Sequence, residues 1–152
     1  NLIRALNNCG KQVVLAGSAA PNQQSYYQQC KKEAAGNIVF AGRLTQTALA
    51  NYYARARVHV LPSWFETCGL SSLEAAAMGC NIVITAKGYT RDYFGDEAFY
   101  CDPGKPASIR EAVMQAATTA TPMQLANSIK TNYTWERAAA MTLSAYQTVL
   151  HS

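Results

Sequence analysis

The sequence predicts an α/β domain: a doubly wound, Rossmann-like parallel sheet of about five strands with a helical C-terminal tail. Two observations point there. Short apolar runs bounded by Gly, Pro or Asn alternate with longer stretches of helical period, as βαβ units do, and no repeat, low-complexity segment or internal boundary divides the 152 residues.

The first strand is Gln12-Val13-Val14-Leu15-Ala16, ending in Gly17-Ser18. Gln23 to Glu33 reads as a polar-faced helix whose Tyr26, Tyr27 and Cys30 recur at the spacing of a buried stripe. Asn37-Ile38-Val39-Phe40-Ala41 is the second strand, stopped by Gly42, and a helix from Thr45 to about Ala56 turns Leu49, Tyr52 and Tyr53 inward. The third strand, Val58-His59-Val60-Leu61, is halted by Pro62-Ser63. After the loop Trp64 to Gly69, a helix from about Ser71 to Met78 closes at Gly79, a C-terminal glycine cap.

Ile82-Val83-Ile84-Thr85 is the fourth strand, Gly88 opens a Tyr-rich loop through Asp96, and Ala98-Phe99-Tyr100-Cys101 is a short last strand. Asp102-Pro103-Gly104 then turns the chain into helices of about Pro106 to Thr118, Pro122 to Thr131 and Trp135 to Leu150. Residues 121–152 form the helical tail of one domain spanning 1–152, with Trp135 as the anchor of the last helix.

Composition narrows the function. At 49% hydrophobic and 14% charged, the chain has the means to build a packed core, which excludes disorder. The net charge of +4 comes from scattered Lys and Arg, without the basic stripe a nucleic-acid surface needs. Five cysteines, an odd number with no C-x-x-C pair, indicate neither a disulfide framework nor a zinc site, and a reducing cytosol is the expected compartment. No apolar run approaches 18 residues, no signal-peptide pattern opens the chain, and the first residue is not Met, so a piece of a longer protein is expected.

In open parallel sheets ligands sit beyond the carboxyl ends of the strands, where loops lead into helix N-termini. Those places are Gly17 to Ala20, Gly42-Arg43-Leu44, Ser63 to Leu70 and Lys87 to Thr90. The richest is Leu-Pro-Ser63-Trp-Phe-Glu66-Thr-Cys68-Gly69-Leu70-Ser-Ser-Leu-Glu74, where a loop carboxylate and a helix carboxylate are separated by seven residues. Gly69 lets the backbone pass close to a ligand, and amides near Leu70, Ser71 and Ser72 would face an anion at the helix N-terminus. Carboxylates flanking a diphosphate would serve hydroxyl groups on either side of it, which is the layout of a nucleoside diphosphate sugar.

Both carboxylates have plainer readings. Ser71-x-x-Glu74 matches a capping box, in which Glu74 reaches back to the Ser71 amide, and on bare spacing Glu66 reads more readily as a solvated loop carboxylate.

The stretch V-H-V-L-P-S-W-F-E-T-C-G-L-S-S-L-E-A-A-A-M-G-C-N-I-V-I-T resembles the E-x7-E region of group 1 (family 4) retaining glycosyltransferases of GT-B fold. V-V-L-A-G and N-I-V-F-A-G-R-L upstream, with G-Y-T-R-D-Y-F-G-D-E-A-F-Y-C-D-P and Y-T-W-E-R-A-A downstream, extend the resemblance over most of the chain. It implies the C-terminal, donor-binding domain of an enzyme whose N-terminal domain is missing here, together with the basic Arg and Lys pair that clamps the diphosphate. Glu66 would contact the donor sugar near the reacting carbon, and Glu74 would hold the ribose. Gly17 and Ser63 would line the donor site, the amides around Cys68, Gly69 and Leu70 would approach sugar and diphosphate, and Arg43 and Leu44 would flank the base.

The family pattern has a bulky residue where Cys68 stands and Gly-Gly-x-x-Glu where this chain reads Gly88-Tyr89-Thr90-Arg91-Asp92. The resemblance further implies retention of anomeric configuration, no required metal and no cofactor beyond a UDP-, GDP- or ADP-linked sugar. The acceptor would be a glycan or lipid-linked glycan, with the full-length enzyme in the cytoplasm or at the inner face of the membrane. The isolated fragment is expected to be inactive. Two other classes remain open: a non-catalytic nucleotide-sugar-binding or interaction module, and a sugar-nucleotide epimerase-like or phosphorylase enzyme. Of the remaining polar residues, His59 reads as a core or strand-face histidine without an evident partner, Cys68 as a thiol lacking a histidine to activate it, and Lys87 and Arg91 as solvated cations rather than phosphate ligands.

Overall fold

The computed structural model describes residues 1–121 and 123–150. In chain order the elements are α1 (Leu2–Leu6), β1 (Val13–Ala16), a 3-10 turn (Pro21–Gln23), α2 (Gln24–Glu33), β2 (Ile38–Gly42), α3 (Gln46–Arg55), β3 (Val58–Leu61), α4 (Leu70–Ala77), β4 (Asn81–Thr85), α5 (Thr90–Phe94), β5 (Phe99–Cys101), α6 (Pro106–Thr118), α7 (Met123–Asn132) and α8 (Trp135–Leu150). All five strands form within a residue or two of where the apolar runs place them. The short helix α5, inside the Tyr-rich loop, was not foreseen. The predicted start of α7 at Pro122, and the end of the tail at 151–152, lie outside the described residues.

Every strand pairing is parallel, but the strands make two sheets rather than one: β1-β2, and β3-β4-β5. β1 and β3 therefore each keep an unpaired edge. The three-stranded sheet is covered on both faces, because β4 alternates its side chains between two apolar clusters. Ile82 and Ile84 pack with Ala75 and Ala76 of α4, Tyr53 of α3, Phe94 of α5, and Leu125 and Ile129 of α7. Val83 faces the other way, toward Ala5 and Leu6 of α1 and Ile109, Ala112, Val113 and Ala116 of α6. Each of these large apolar side chains contributes about 1.5–3 kcal/mol by leaving water. The one amide in β4, Asn81, is buried at 2% exposure and satisfied by donating to the Ala116 and Thr119 carbonyls.

The β1-β2 pair is less protected. Val14 and Val39 are exposed, and α2 buries none of its residues. The stripe predicted on α2 is therefore only half realised: Tyr27 packs edge-on against Phe40 of β2, while Tyr26 stands 61% exposed. On α3, Tyr53 points inward as expected, but Tyr52 does not. Trp135 does not anchor α8. It is 79% exposed, and the helix buries none of its residues.

Candidate functional site

The sharpest local feature is the entry into α4. Gly69 is the N-cap residue, in the left-handed region at φ 63°, where an L side chain costs about 1–2 kcal/mol. A Cβ there would also press on Ile84 Cδ1 at 3.3 Å. The Gly69 carbonyl accepts from the amides of Ser72 at 2.8 Å and Leu73 at 3.0 Å. The Ser72 amide is thus engaged, a correction to the expected trio of free amides. Leu70 and Ser71 supply the two helix-start amides without a backbone acceptor among the described residues, and they are the ones able to meet an anion.

This geometry also removes the capping-box reading of Glu74. With Gly69 as N-cap, Ser71 is the second residue of the helix and Glu74 the fifth, two residues past the third position where a capping carboxylate stands. The Glu74 side chain is exposed and makes no hydrogen bond or ion pair among the described residues.

Glu66 is different. The Ser63 hydroxyl donates to Glu66 Oε2 at 3.2 Å and the Thr67 amide donates to Oε1 at 3.1 Å, so the carboxylate is aimed by its own loop. Its backbone is held as well: the Glu66 amide donates to the Lys87 carbonyl and the Tyr89 amide donates to the Glu66 carbonyl, both at 3.1 Å. The loop after β3 is thereby zipped to the loop after β4 through a parallel bridge between Glu66 and Gly88. Gly88 is obligatory there. Its φ is +104°, and a Cβ would lie 1.9 Å from the Glu66 carbonyl oxygen.

Aromatic side chains frame the zipped loops. Lys87 Nζ lies 5.2 Å from the Trp64 ring centroid, and Phe65 meets Tyr89 edge-on. Arg91 stacks over Tyr100 at 4.1 Å and approaches Asp96 at 3.8 Å. Both cations are thus drawn to rings and a carboxylate on the surface.

The predicted residues fall into two groups. Ser63, Glu66, Cys68, Gly69, Leu70 and Glu74 gather beyond the end of β3 and along the start of α4. Gly17, Arg43 and Leu44 lie beyond the ends of β1 and β2, where the Gly17 amide donates to the Gly42 carbonyl at 2.8 Å. Arg43 is exposed and has no acidic partner among the described residues. Gly17 lines an open, largely apolar cleft of about 410 Å³ with Leu15, Tyr26, Tyr27 and Phe40, which does not extend to the carboxylates. The thiol of Cys68 is free and half-buried, without an imidazole beside it among the described residues.

Sequence reasoning missed one polar contact next to the site: His59 Nε2 and Ser72 Oγ lie 3.0 Å apart. Ser72 sits on the buried stripe of α4 with Ala75 and Ala76, and a hydroxyl on such a stripe is itself a signal that a partner faces it. Burial pushes the His59 imidazole down from its ordinary 6.5 to about 4, so it is neutral at physiological pH. Burial, followed by the Glu74 charge, pushes the neighbouring Tyr53 phenol up to about 12.

Among known proteins, the chain is 29% identical over 118 residues to the O-antigen chain mannosyltransferase B of Escherichia coli, covering 74% of this chain and 30% of that protein. It spans about a third of this curated relative. Its fold matches sucrose-phosphate synthase of Thermosynechococcus elongatus with a TM-score of 0.82 at 21% identity, over 99% of this chain and 42% of that one. It also matches an Anabaena protein solved in complex with UDP and glucose, with a TM-score of 0.64 at 18% identity, again over 99% and 42%. These likenesses place the chain on the C-terminal domain of the GT-B fold. The family described as Glycosyl transferases group 1 matches residues 1–119. Matched over most of its length, the chain belongs to the group 1 glycosyltransferase family.

Proposed function

We propose that the chain is the donor-binding half of a two-domain enzyme that moves a sugar from a nucleoside diphosphate sugar to a glycan or lipid-linked glycan with retention of configuration. The observation that carries this reading is the α4 entry: a loop carboxylate aimed by Ser63 and Thr67, a left-handed glycine, and two free amides in sequence, with Glu74 unoccupied one turn further on. A diphosphate at the Leu70 and Ser71 amides would leave Glu66 beside the sugar and Glu74 beside the ribose. The Anabaena neighbour's complex with UDP and glucose supports the same ligand class.

Retention through a covalent intermediate requires a nucleophile on the opposite face of the sugar, a duty neither Glu66 nor Glu74 has in this reading, so front-face displacement is favoured. In that mechanism the leaving diphosphate accepts the acceptor's proton, and helix amides stabilise its growing charge. Each helix-end interaction contributes about 0.3–1 kcal/mol, and up to about 2 when partly buried, so two amides alone are insufficient.

The remaining stabilisation is assigned to a second domain. The unpaired edges of β1 and β3 support further chain beside them, as does the cleft of about 480 Å³ lined by Leu15, Tyr26, Cys30, Pro62, Trp64 and Ile109. The exposed apolar side chains of α8 support it too. Five free thiols fit a reducing, cytoplasmic compartment. No helix of the described residues is long and apolar enough to cross a membrane. Turnover of labelled UDP-, GDP- and ADP-sugars is expected from the full-length protein and to be negligible from residues 1–152. Comparable rates from the two would contradict the division of labour.

A further inference from the structure

Ser72 is a fully buried polar side chain, and His59 is a half-buried one on the inward side of β3. Along β3, Val58 and Val60 pack toward α1 and α6, whereas Leu61 packs on the opposite cluster, and His59 shares that side with Leu61. The imidazole meets the Tyr53 ring edge-on, with centroids 5.6 Å apart, and Ser72 Oγ at 3.0 Å. Ser72 is fully buried. An aliphatic pair would fill the same space without polar atoms to satisfy, so burial alone does not account for this choice.

What the bond spans accounts for it better. It links residues 13 apart in sequence, and between them lie Ser63, Glu66, Cys68, Gly69 and Leu70. The bond therefore closes the base of the loop that carries the carboxylate and the helix-start amides. A hydrogen bond is directional where an apolar contact is not, so it fixes the rotation and height of the first turn of α4 on β3. We infer that His59 is a positioning residue for the donor site: through Ser72 it holds the first turn of α4, and with it the Leu70 and Ser71 amides, in the geometry that receives a diphosphate. The inference rests on the donor-site reading above. The groups facing the imidazole are Tyr53 from α3 and Ser72 from α4. No charged side chain bonds to it among the described residues, and the Glu74 charge acts on Tyr53.

Replacing both partners gives the decisive variant. An apolar pair of similar shape is commonly as stable as the buried polar pair it replaces, so His59→Phe/Ser72→Ala is expected to fold with a melting temperature at or above that of the parent. Its affinity for UDP and GDP, measured by calorimetry on the full-length protein well below melting, is expected to fall about fivefold, the scale of one lost hydrogen bond. Ser72→Ala alone should show the same loss, with no further loss on adding His59→Phe, because the two residues act as one unit. Parental affinity in the double variant overturns the inference. If the parent binds neither nucleotide, the donor-site reading fails separately. Amide exchange at Leu70 to Leu73 then decides the positioning role: faster exchange in the double variant is the expected result, and parental rates overturn it.

Discussion

The His59 environment makes a prediction that needs no ligand. The imidazole binds a proton near pH 6.5 when unfolded and near pH 4 when folded, because burial disfavours its charged form. Between those values the unfolded chain holds the extra proton, so stability rises with pH. The contribution is complete above about 6.5 and is lost as pH falls toward 4, over a range of up to about 3 kcal/mol. Urea unfolding of the parent and of His59→Phe between pH 7 and 4, compared as a difference, cancels the carboxylates they share. The parent should lose stability relative to the variant by that order as pH falls, and parallel curves would count against a buried neutral imidazole. His59 was readable from the alternation of β3 as a core residue, but its partner was not. Ser72 lies 13 residues on, and only the packing of α4 across β3 brings the two together. The Glu66 side chain was likewise visible as a loop carboxylate, while Ser63 and Thr67 as its orienters were not.

Elements such as β4 and α6 were visible in the sequence because local pattern and tertiary burial agree there, whereas α8 was visible from its helical period alone and buries none of its residues. α5 was not, since five residues in a Tyr-rich loop carry too little periodicity. The α2 stripe failed for a different reason: its period was right, but a two-stranded sheet offers too little surface to bury it. Between elements, the strap joining the loops after β3 and β4 holds Glu66 in place and depends on Gly88. Gly88→Ala would set a Cβ against the Glu66 carbonyl oxygen and force a positive φ, with an expected destabilisation of about 1–3 kcal/mol in denaturant unfolding. Faster amide exchange at Glu66 and Tyr89 should accompany it, and unchanged stability and exchange would show that the strap is dispensable.

At the scale of the whole molecule, the parallel strands followed from sequence alone. The division into two sheets did not, because periodicity identifies strands without identifying their neighbours. It separates Gly17, Arg43 and Leu44 from the Glu66 and Glu74 group, so the proposed donor would bridge two sheets that share no strand pairing among the described residues. Glu74 is released from capping and Glu66 is committed to its loop, and the proposed donor-binding role gives the two carboxylates distinct duties at either side of the α4 entry. The direct test is calorimetric titration of UDP-, GDP- and ADP-sugars into the full-length protein, its Glu66→Ala variant and its Glu74→Ala variant. One donor class should bind, and each substitution should weaken it by at least about tenfold, the loss of a charge-assisted hydrogen bond. Affinity unchanged by both substitutions would contradict the assignment of the donor to this site.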